Sequence, residues 1–169
     1  AAEQGIQNLV LYSTCNRTEL FAFGADYEHL VRLLLNHTKG TKSEFHDFGF
    51  IHEGEQAIQH FFEVAVGLDS QILGDLQIIK QLKDAVSHAR QQSMIGAEMQ
   101  KLMQLLFVNH KRVRTETQLG QGAATTSYAA IQWAKQRMGD LSTRNVLLVG
   151  LGKIGEVTVR NLLNLGCQH

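Results

Sequence analysis

Leu11-Tyr12-Ser13-Thr14-Cys15-Asn16-Arg17-Thr18-Glu19 is the stretch on which the reading of this chain turns. The apolar run from Ile6 to Tyr12 predicts a buried strand, and it ends abruptly in small polar residues, a thiol and a guanidinium. A second apolar run, Leu20 to Phe23, follows at once, so Cys15 is expected at a strand end where the chain turns. A strand end holds a reactive group at the surface without loss of precision. A thiol reacts as its thiolate, and a nearby cation such as Arg17 favours that charge. Arg17 is equally suited to act as a planar fork for a substrate carboxylate. Taken alone, the same residues also fit a buried filler cysteine beside a surface arginine, because free cysteines are most often simply buried.

Working outward, 169 residues can bury one sizeable core, or one domain plus part of another. Apolar residues at 44% and charged residues at 19% describe an ordinary globular chain. Lys plus Arg equals Asp plus Glu at 16 each, so no overall basic field attracts nucleic acid, and an RNA partner has to be engaged locally. Cys15 and Cys167 form no CxxC, which argues against a zinc site or a disulfide framework and for a reducing cytoplasm. No metal site is expected. No apolar stretch approaches a membrane span, and no signal pattern opens the chain. The missing initiator Met and the stop just after Gly166 read as an excised fragment.

Asp26 is placed to cap a helix with Leu30, Val31, Leu34 and Leu35 on its apolar side. A short strand is expected near Phe48 to Ile51. From Glu55 the spacing predicts a helix with Ile58, Phe61, Phe62 and Ala65 facing a core and His60 at the edge between faces. A histidine there is ordinarily packed or solvated; paired with a thiol it becomes an orienter or general base. After Gly67-Leu68-Asp69-Ser70 and Gly74-Asp75 comes a helix capped by Asp75, with Leu76, Ile79, Leu82, Val86 and Ala89 inward. Its opposite side carries Gln77, Gln81, Asp84 and His88, either a solvated face or, through the uncharged amides, a reader of carboxylates and amines. A long helix is expected from about Ala97 to Glu116, ending in the basic run His110-Lys111-Arg112-Val113-Arg114. Those cations suit a helix C-terminus, and a phosphate-contacting role for Lys111, Arg112 and Arg114 is the alternative. Gly120-Gln121-Gly122 breaks the pattern, Ala123 to Met138 reads as a small-residue helix packed through Ala129, Ala130, Trp133 and Ala134, and Gly139 to Thr143 reads as a linker.

Composition changes at Asn145. The run Asn145 to Val149 is β-rich and leads into Gly150-Leu151-Gly152-Lys153-Ile154-Gly155 and an apolar helix, a GxGxxG in the strand, turn and helix context that gives it meaning. Glycines there let backbone approach a pyrophosphate at the positive helix end. The side chain that separates NAD from NADP is expected about 20 residues further on. A thiol together with a nicotinamide cofactor suggests thioester chemistry, in which Cys attacks an acyl carbon and hydride reduces the product.

With these residues in view, four blocks resemble glutamyl-tRNA reductase: Ser13-Thr14-Cys15-Asn16-Arg17-Thr18-Glu19, Val64-Ala65 with Gly67 to Ser70 through Gln77-Ile78, Lys111 to Thr117, and the glycine turn. The resemblance implies NADPH-dependent reduction of glutamyl-tRNA to glutamate-1-semialdehyde, the first step of tetrapyrrole synthesis from glutamate. It implies Cys15 as the nucleophile that holds the glutamyl group as a thioester, and His60 as the active-site histidine. It implies Arg17 on the substrate carboxylate, Thr14, Asn16, Ser70, Asp75, Leu76, Gln77 and Gln81 at substrate-binding positions, and Gly150, Leu151, Gly152, Lys153, Ile154 and Gly155 in the cofactor loop. Where the family usually has Glu-Pro, this chain has Asp75-Leu76, a shorter carboxylate and no preset first turn. The fold class expected is α/β: a small catalytic domain with several long helices over residues 1–140, its first strand missing. The truncated first strand, turn and helix of a Rossmann-type NADPH domain follow over 141–169. Expected partners are glutamyl-tRNA, a second subunit in the full-length protein and the next enzyme of the pathway, which takes over the aldehyde. The competing readings are a thiol hydrolase with an incidental glycine turn, and a non-catalytic dinucleotide-sensing or RNA-binding module.

Overall fold

The structure, a computed structural model, describes residues 6–120 and 126–167. Two strands, β1 (Leu9–Ser13) and β2 (Thr18–Ala22), pair antiparallel with Leu9 opposite Ala22 and Tyr12 opposite Glu19. The turn between them spans 14–17 and is closed by the Thr14 N–H donating to the Arg17 carbonyl at 2.9 Å. The hairpin expected around Cys15 is therefore present.

Five helices follow in the first core: α1 (Tyr27–Asn36), α2 (Lys42–Phe48), α3 (Gly54–Val66), α4 (Leu76–Gln91) and α5 (Ala97–Glu116). Asp26 caps α1 and Asp75 caps α4, each accepting from a backbone N–H two residues on, as the sequence predicts. Val10 and Tyr12 of β1, Phe61 and Val64 of α3, Leu82 and Val86 of α4, and Met99, Met103 and Leu106 of α5 fill the interior. Phe21 of β2 stacks on Phe61 with ring centroids 3.8 Å apart, which fixes α3 against the hairpin. Met99 and Met103 of α5, both buried, fill space between the two-stranded ribbon and the helices.

Several expectations are corrected. The short strand near Phe48 to Ile51 does not form. Thr41 and Glu44 make a reciprocal capping box that starts α2 instead, and 49–53 run without regular structure. Ile58 of α3 is 42% exposed and lines a cleft rather than the core. The β-rich run 145–149 forms no strand: a strand needs ladder partners, and among the described residues none pairs with it, so Leu147 and Val149 stand exposed.

A second, smaller core gathers Ile131 of α6 (Thr126–Met138), Leu141 and Cys167, with Leu162 of α7 (Lys153–Asn164) against them. The stretch expected as a linker thus contributes Leu141, buried in a 3-10 turn capped by Asp140. Trp133 is outward rather than packed, with the Arg137 guanidinium over its ring at 4.7 Å. Of the small-residue helix expected from Ala123, residues 123–125 lie outside the described residues, as do Gln121 and Gly122 of the predicted break.

Candidate active site

The hairpin turn is organised by Thr14, whose Oγ1 accepts from the backbone N–H of Asn16 at 3.1 Å and of Arg17 at 3.3 Å. This holds Cys15 exposed at the tip and turns Arg17 back toward the protein. Arg17 Nη1 donates to Glu19 Oε1 at 3.1 Å and to Asp69 Oδ2 at 2.6 Å, and Nη2 donates to the Asp69 carbonyl at 2.5 Å. Burial opposes its charge, but the hydrogen bonds to Asp69 and the nearby carboxylates win and raise its pKa above the ordinary value. Arg17 is a fixed cation.

Glu19 is the centre of the arrangement. Its side chain is 6% exposed, and its second oxygen, Oε2, lies 3.0 Å from His60 Nε2. As a carboxylate already held by Arg17, Glu19 can only accept, so the hydrogen-bond network assigns the imidazole proton to Nε2. The other ring nitrogen, Nδ1, lies 3.9 Å from Asp69 Oδ2. The ring is held by Phe21 at 6.3 Å, Phe50 edge-on at 5.2 Å and His52 at 4.9 Å. One buried carboxylate therefore positions the guanidinium and the imidazole together.

Sequence reasoning named Arg17 and His60 but missed Glu19 and Asp69. A signal for Glu19 was available: it pairs with Tyr12 across the hairpin, and alternation puts both on the core face. Asp69 carries no such signal, because its place depends on the fold of the 67–75 loop. Gly67 ends α3 at φ 77°, and its N–H and that of Leu68 return to the last turn of α3. The Gly74 N–H donates to the Gly67 carbonyl at 3.0 Å, and a Cβ on Gly67 would stand 3.0 Å from the Asp75 nitrogen. The loop is cinched at its neck, and its tip delivers Asp69 to Arg17.

Ser70 is half-buried on that loop, and Asp75 and Leu76 sit where it enters α4. The Asp75 carboxylate accepts from the Gln77 N–H at 2.8 Å, so it is engaged as the helix cap, while the Gln77 and Gln81 side chains are exposed. Tyr12 lies beneath the turn. It is fully buried, its hydroxyl has no hydrogen-bond partner among the described residues, and burial pushes its pKa up to about 12.

A cleft of about 630 Å³ opens beside Asn16, Arg17, Glu19 and His60 and runs between β2 and the 48–54 segment. β2 has β1 on one side and this cleft on the other. The glycine turn lies elsewhere: α7 packs on α6 and joins the second core. Gly150 has φ 102°, Gly155 is pressed against the Gly150 carbonyl, and the space where Gly152 would carry a side chain is open. Among the described residues no group of three or more His, Cys, Asp or Glu is arranged to hold a metal, and no helix is long and apolar enough to cross a membrane.

The family model described as Glutamyl-tRNAGlu reductase, N-terminal domain, matches residues 1–117. The chain belongs to the glutamyl-tRNA reductase family. It is 39% identical to glutamyl-tRNA reductase 2 of Flavobacterium johnsoniae, across 96% of this chain and 38% of that protein. Against glutamyl-tRNA reductase of Bacillus subtilis it is 36% identical, across 97% of this chain and 37% of that protein. The solved glutamyl-tRNA reductase from Methanopyrus kandleri matches with TM-score 0.63 at 26% identity, over 99% of this chain and 40% of that one. The chain thus spans about two-fifths of the length of these relatives. The glutamyl-tRNA reductase domain match covers the hairpin, α3, the cinched loop, α4 and α5, the elements that bring Arg17, Glu19, His60 and Asp69 together.

Proposed function

We propose that the protein reduces glutamyl-tRNA(Glu) to glutamate-1-semialdehyde with NADPH, through a glutamyl thioester on Cys15, as the first step of tetrapyrrole synthesis. The observation that carries this reading is the tie of Arg17 and His60 to one buried carboxylate, Glu19, with an exposed thiol two residues before Arg17 on the same tight turn. The Cys15 thiolate attacks the ester carbonyl carbon, a C–S bond forms, and the C–O bond to the tRNA 3′ end breaks. The departing oxygen takes up a proton and leaves as an alcohol. His60, with Nε2 committed to Glu19, takes the Cys15 thiol proton on Nδ1 as the thiolate forms and then gives it to the departing oxygen.

Arg17 reads the substrate carboxylate. Its partner Asp69 is 47% exposed whereas Glu19 is 6% exposed, so the incoming carboxylate takes the place of Asp69 and leaves the Glu19 bond standing. Thr14 and Asn16 on the turn, Ser70 on the loop, and Asp75, Leu76, Gln77 and Gln81 at the start of α4 surround the glutamyl group in this reading.

The proposed catalytic domain is residues 1–140 and the proposed start of the NADPH domain 141–169, with Ile131 of α6 packed into the second core beside Leu141 and Leu162. The glycine turn suits a pyrophosphate: the open side of Gly152 admits close approach at the N-terminus of α7, and no side chain caps that end. Gly150, Leu151, Gly152, Lys153, Ile154 and Gly155 would hold the nucleotide, which supplies the hydride that converts the acyl group to an aldehyde. A homodimer, a cytoplasmic location and direct transfer of the aldehyde to the next enzyme complete the proposal; an aldehyde beside free amines is best not released.

The test gives the intact protein glutamyl-tRNA and NADPH. An aldehyde is expected, with a glutamyl adduct on Cys15 seen by mass spectrometry when NADPH is withheld. Cys15→Ser is expected to lose the adduct and at least about a thousandfold of the rate. Free glutamate as the only product would instead establish a thiol hydrolase, and undiminished activity of Cys15→Ser would remove the thiol from the chemistry.

A further inference from the structure

The charge balance of the whole chain is zero, yet its cations are unevenly used. Arg112 is bound to Glu116 at 3.1 Å through both Nε and Nη2. Lys80, Lys83 and Arg90 of α4, and Lys111 and Arg114 of α5, form no ion pair among the described residues. Lys80, Lys83 and Arg90 recur at three- and seven-residue intervals, which puts them on one stripe of α4. Two contacts show that this stripe faces α5. Arg90 Nη2 donates to Gln100 Oε1 at 2.9 Å, and Lys83 Nζ stands 5.7 Å over the Phe107 ring.

Further along the same seam, His110 is half-buried between Lys83 and Arg114. Burial first, then those two cations, hold its pKa below the ordinary histidine value. The nearest acid on α4, Asp84, lies about 100° round the helix from Lys83. Asp84 is instead one turn from Lys80 on the same helix, so Lys80 has an acidic neighbour, while Lys83, Arg90, Lys111 and Arg114 make no salt bridge among the described residues.

We infer that the seam between α4 and α5 binds the phosphate backbone of the tRNA substrate. Two features favour a polyanion over a protein partner. The row repeats one charge over about 15 Å, at a rise of about 1.5 Å per residue from Lys80 to Arg90. Its aromatic ring, Phe107, lies under the Lys83 ammonium rather than forming the open apolar centre of a protein interface. Its position favours RNA that ends in the active site. The start of α4 follows directly on the loop that holds Asp69, and the Leu119 carbonyl beyond α5 lies against Gly74 of that loop. A backbone lying in the seam reaches the Cys15 turn at one end.

This inference rests on the tRNA substrate proposed above, and its test separates the two. The intact protein is titrated into fluorescein-labelled, unacylated tRNA(Glu) across a series of salt concentrations. In parallel, acylation of Cys15 by a glutamyl thioester of a small thiol is followed without RNA. Lys83→Glu with Arg114→Glu is expected to weaken tRNA binding at least about tenfold and to flatten the salt dependence by roughly 0.7–0.9 per cation removed. Lys83→Gln with Arg114→Gln should fall between that variant and wild type. Lys39→Glu, on the α1–α2 connection, with Lys42→Glu, at the first residue of α2, should bind as wild type does. All three should accept the glutamyl group from the small thioester at the wild-type rate, which certifies the fold. Wild-type tRNA affinity in the charge-reversed variant, with Cys15 still acylated, overturns the seam. Tight, seam-dependent tRNA binding without any acylation of Cys15 instead overturns the catalytic reading and leaves the seam standing. Affinity that does not respond to salt would mean a contact of another kind and would likewise overturn the inference.

Discussion

The turn that carries Cys15 and the glycine turn before α7 both begin as a β-rich run ending in small residues, yet they are built differently. The first is locked by side chains: Thr14 shapes the backbone, and Arg17, Glu19, His60 and Asp69 tie the turn to α3 and to the 67–75 loop over a filled core. The second is shaped by backbone alone, through the left-handed Gly150 and the contact of Gly155 with its carbonyl, while Leu147 and Val149 beside it are exposed. A site made of side chains is complete once its own core is packed. A site made of backbone depends on its neighbours for support, and among the described residues no strand pairs with the run that carries Leu147 and Val149.

The contrast can be broken most forcefully at Glu19. Glu19→Ala leaves a partly buried guanidinium and imidazole without their shared acceptor, and urea unfolding should show a loss of about 3 kcal/mol. Glu19→Gln, which still accepts from Arg17, should lose clearly less; equal stability for all three proteins would mean that the carboxylate holds nothing. Next comes the glycine turn. Gly155→Ala drives a methyl into the Gly150 carbonyl and should cost about 1–3 kcal/mol, seen as faster hydrogen exchange confined to α6 and α7. Gly152→Ala meets open space and should hold stability within about 0.5 kcal/mol while weakening NADPH binding in the intact protein.

Acid supplies a smaller effect. Because the pKa of His110 is depressed in the fold, the unfolded chain takes up its proton more readily, so stability falls as pH drops below about 6.5. The Tm difference between pH 7.5 and 5.5 should therefore be smaller in His110→Gln than in wild type. Tyr12→Phe should have the least effect. It removes a hydroxyl that has no partner among the described residues, so stability should stay within about 1 kcal/mol of wild type or rise slightly; a loss of 2 kcal/mol or more would mean that the hydroxyl is bonded.

Much of the fold was legible because it rests on local rules. Asp26 and Asp75 announce their helices, the apolar spacing of α3, α4 and α5 is regular, and the change from apolar to polar residues at Ser13 marks the hairpin. The two strand failures share a cause. Phe48 to Ile51 and Asn145 to Val149 have strand composition, but a strand is a relation between two segments, and composition describes only one. Trp133 was assigned inward on a helix with little difference between its faces. In the site, Cys15, Arg17 and His60 were visible as residue types with evident chemistry. Glu19 was readable only through the register of the hairpin, and Asp69 only through the glycines that fold its loop.

The outer edge of β2 has a practical consequence for anyone handling this chain. It lies along a cleft bordered by Phe48, 84% exposed, and Phe50, 54% exposed. Unpaired strand amides next to bare aromatic rings recruit other chains. Solubility of the isolated chain should therefore be capped by self-association that begins at β2, and light scattering should rise with concentration well before any helix melts.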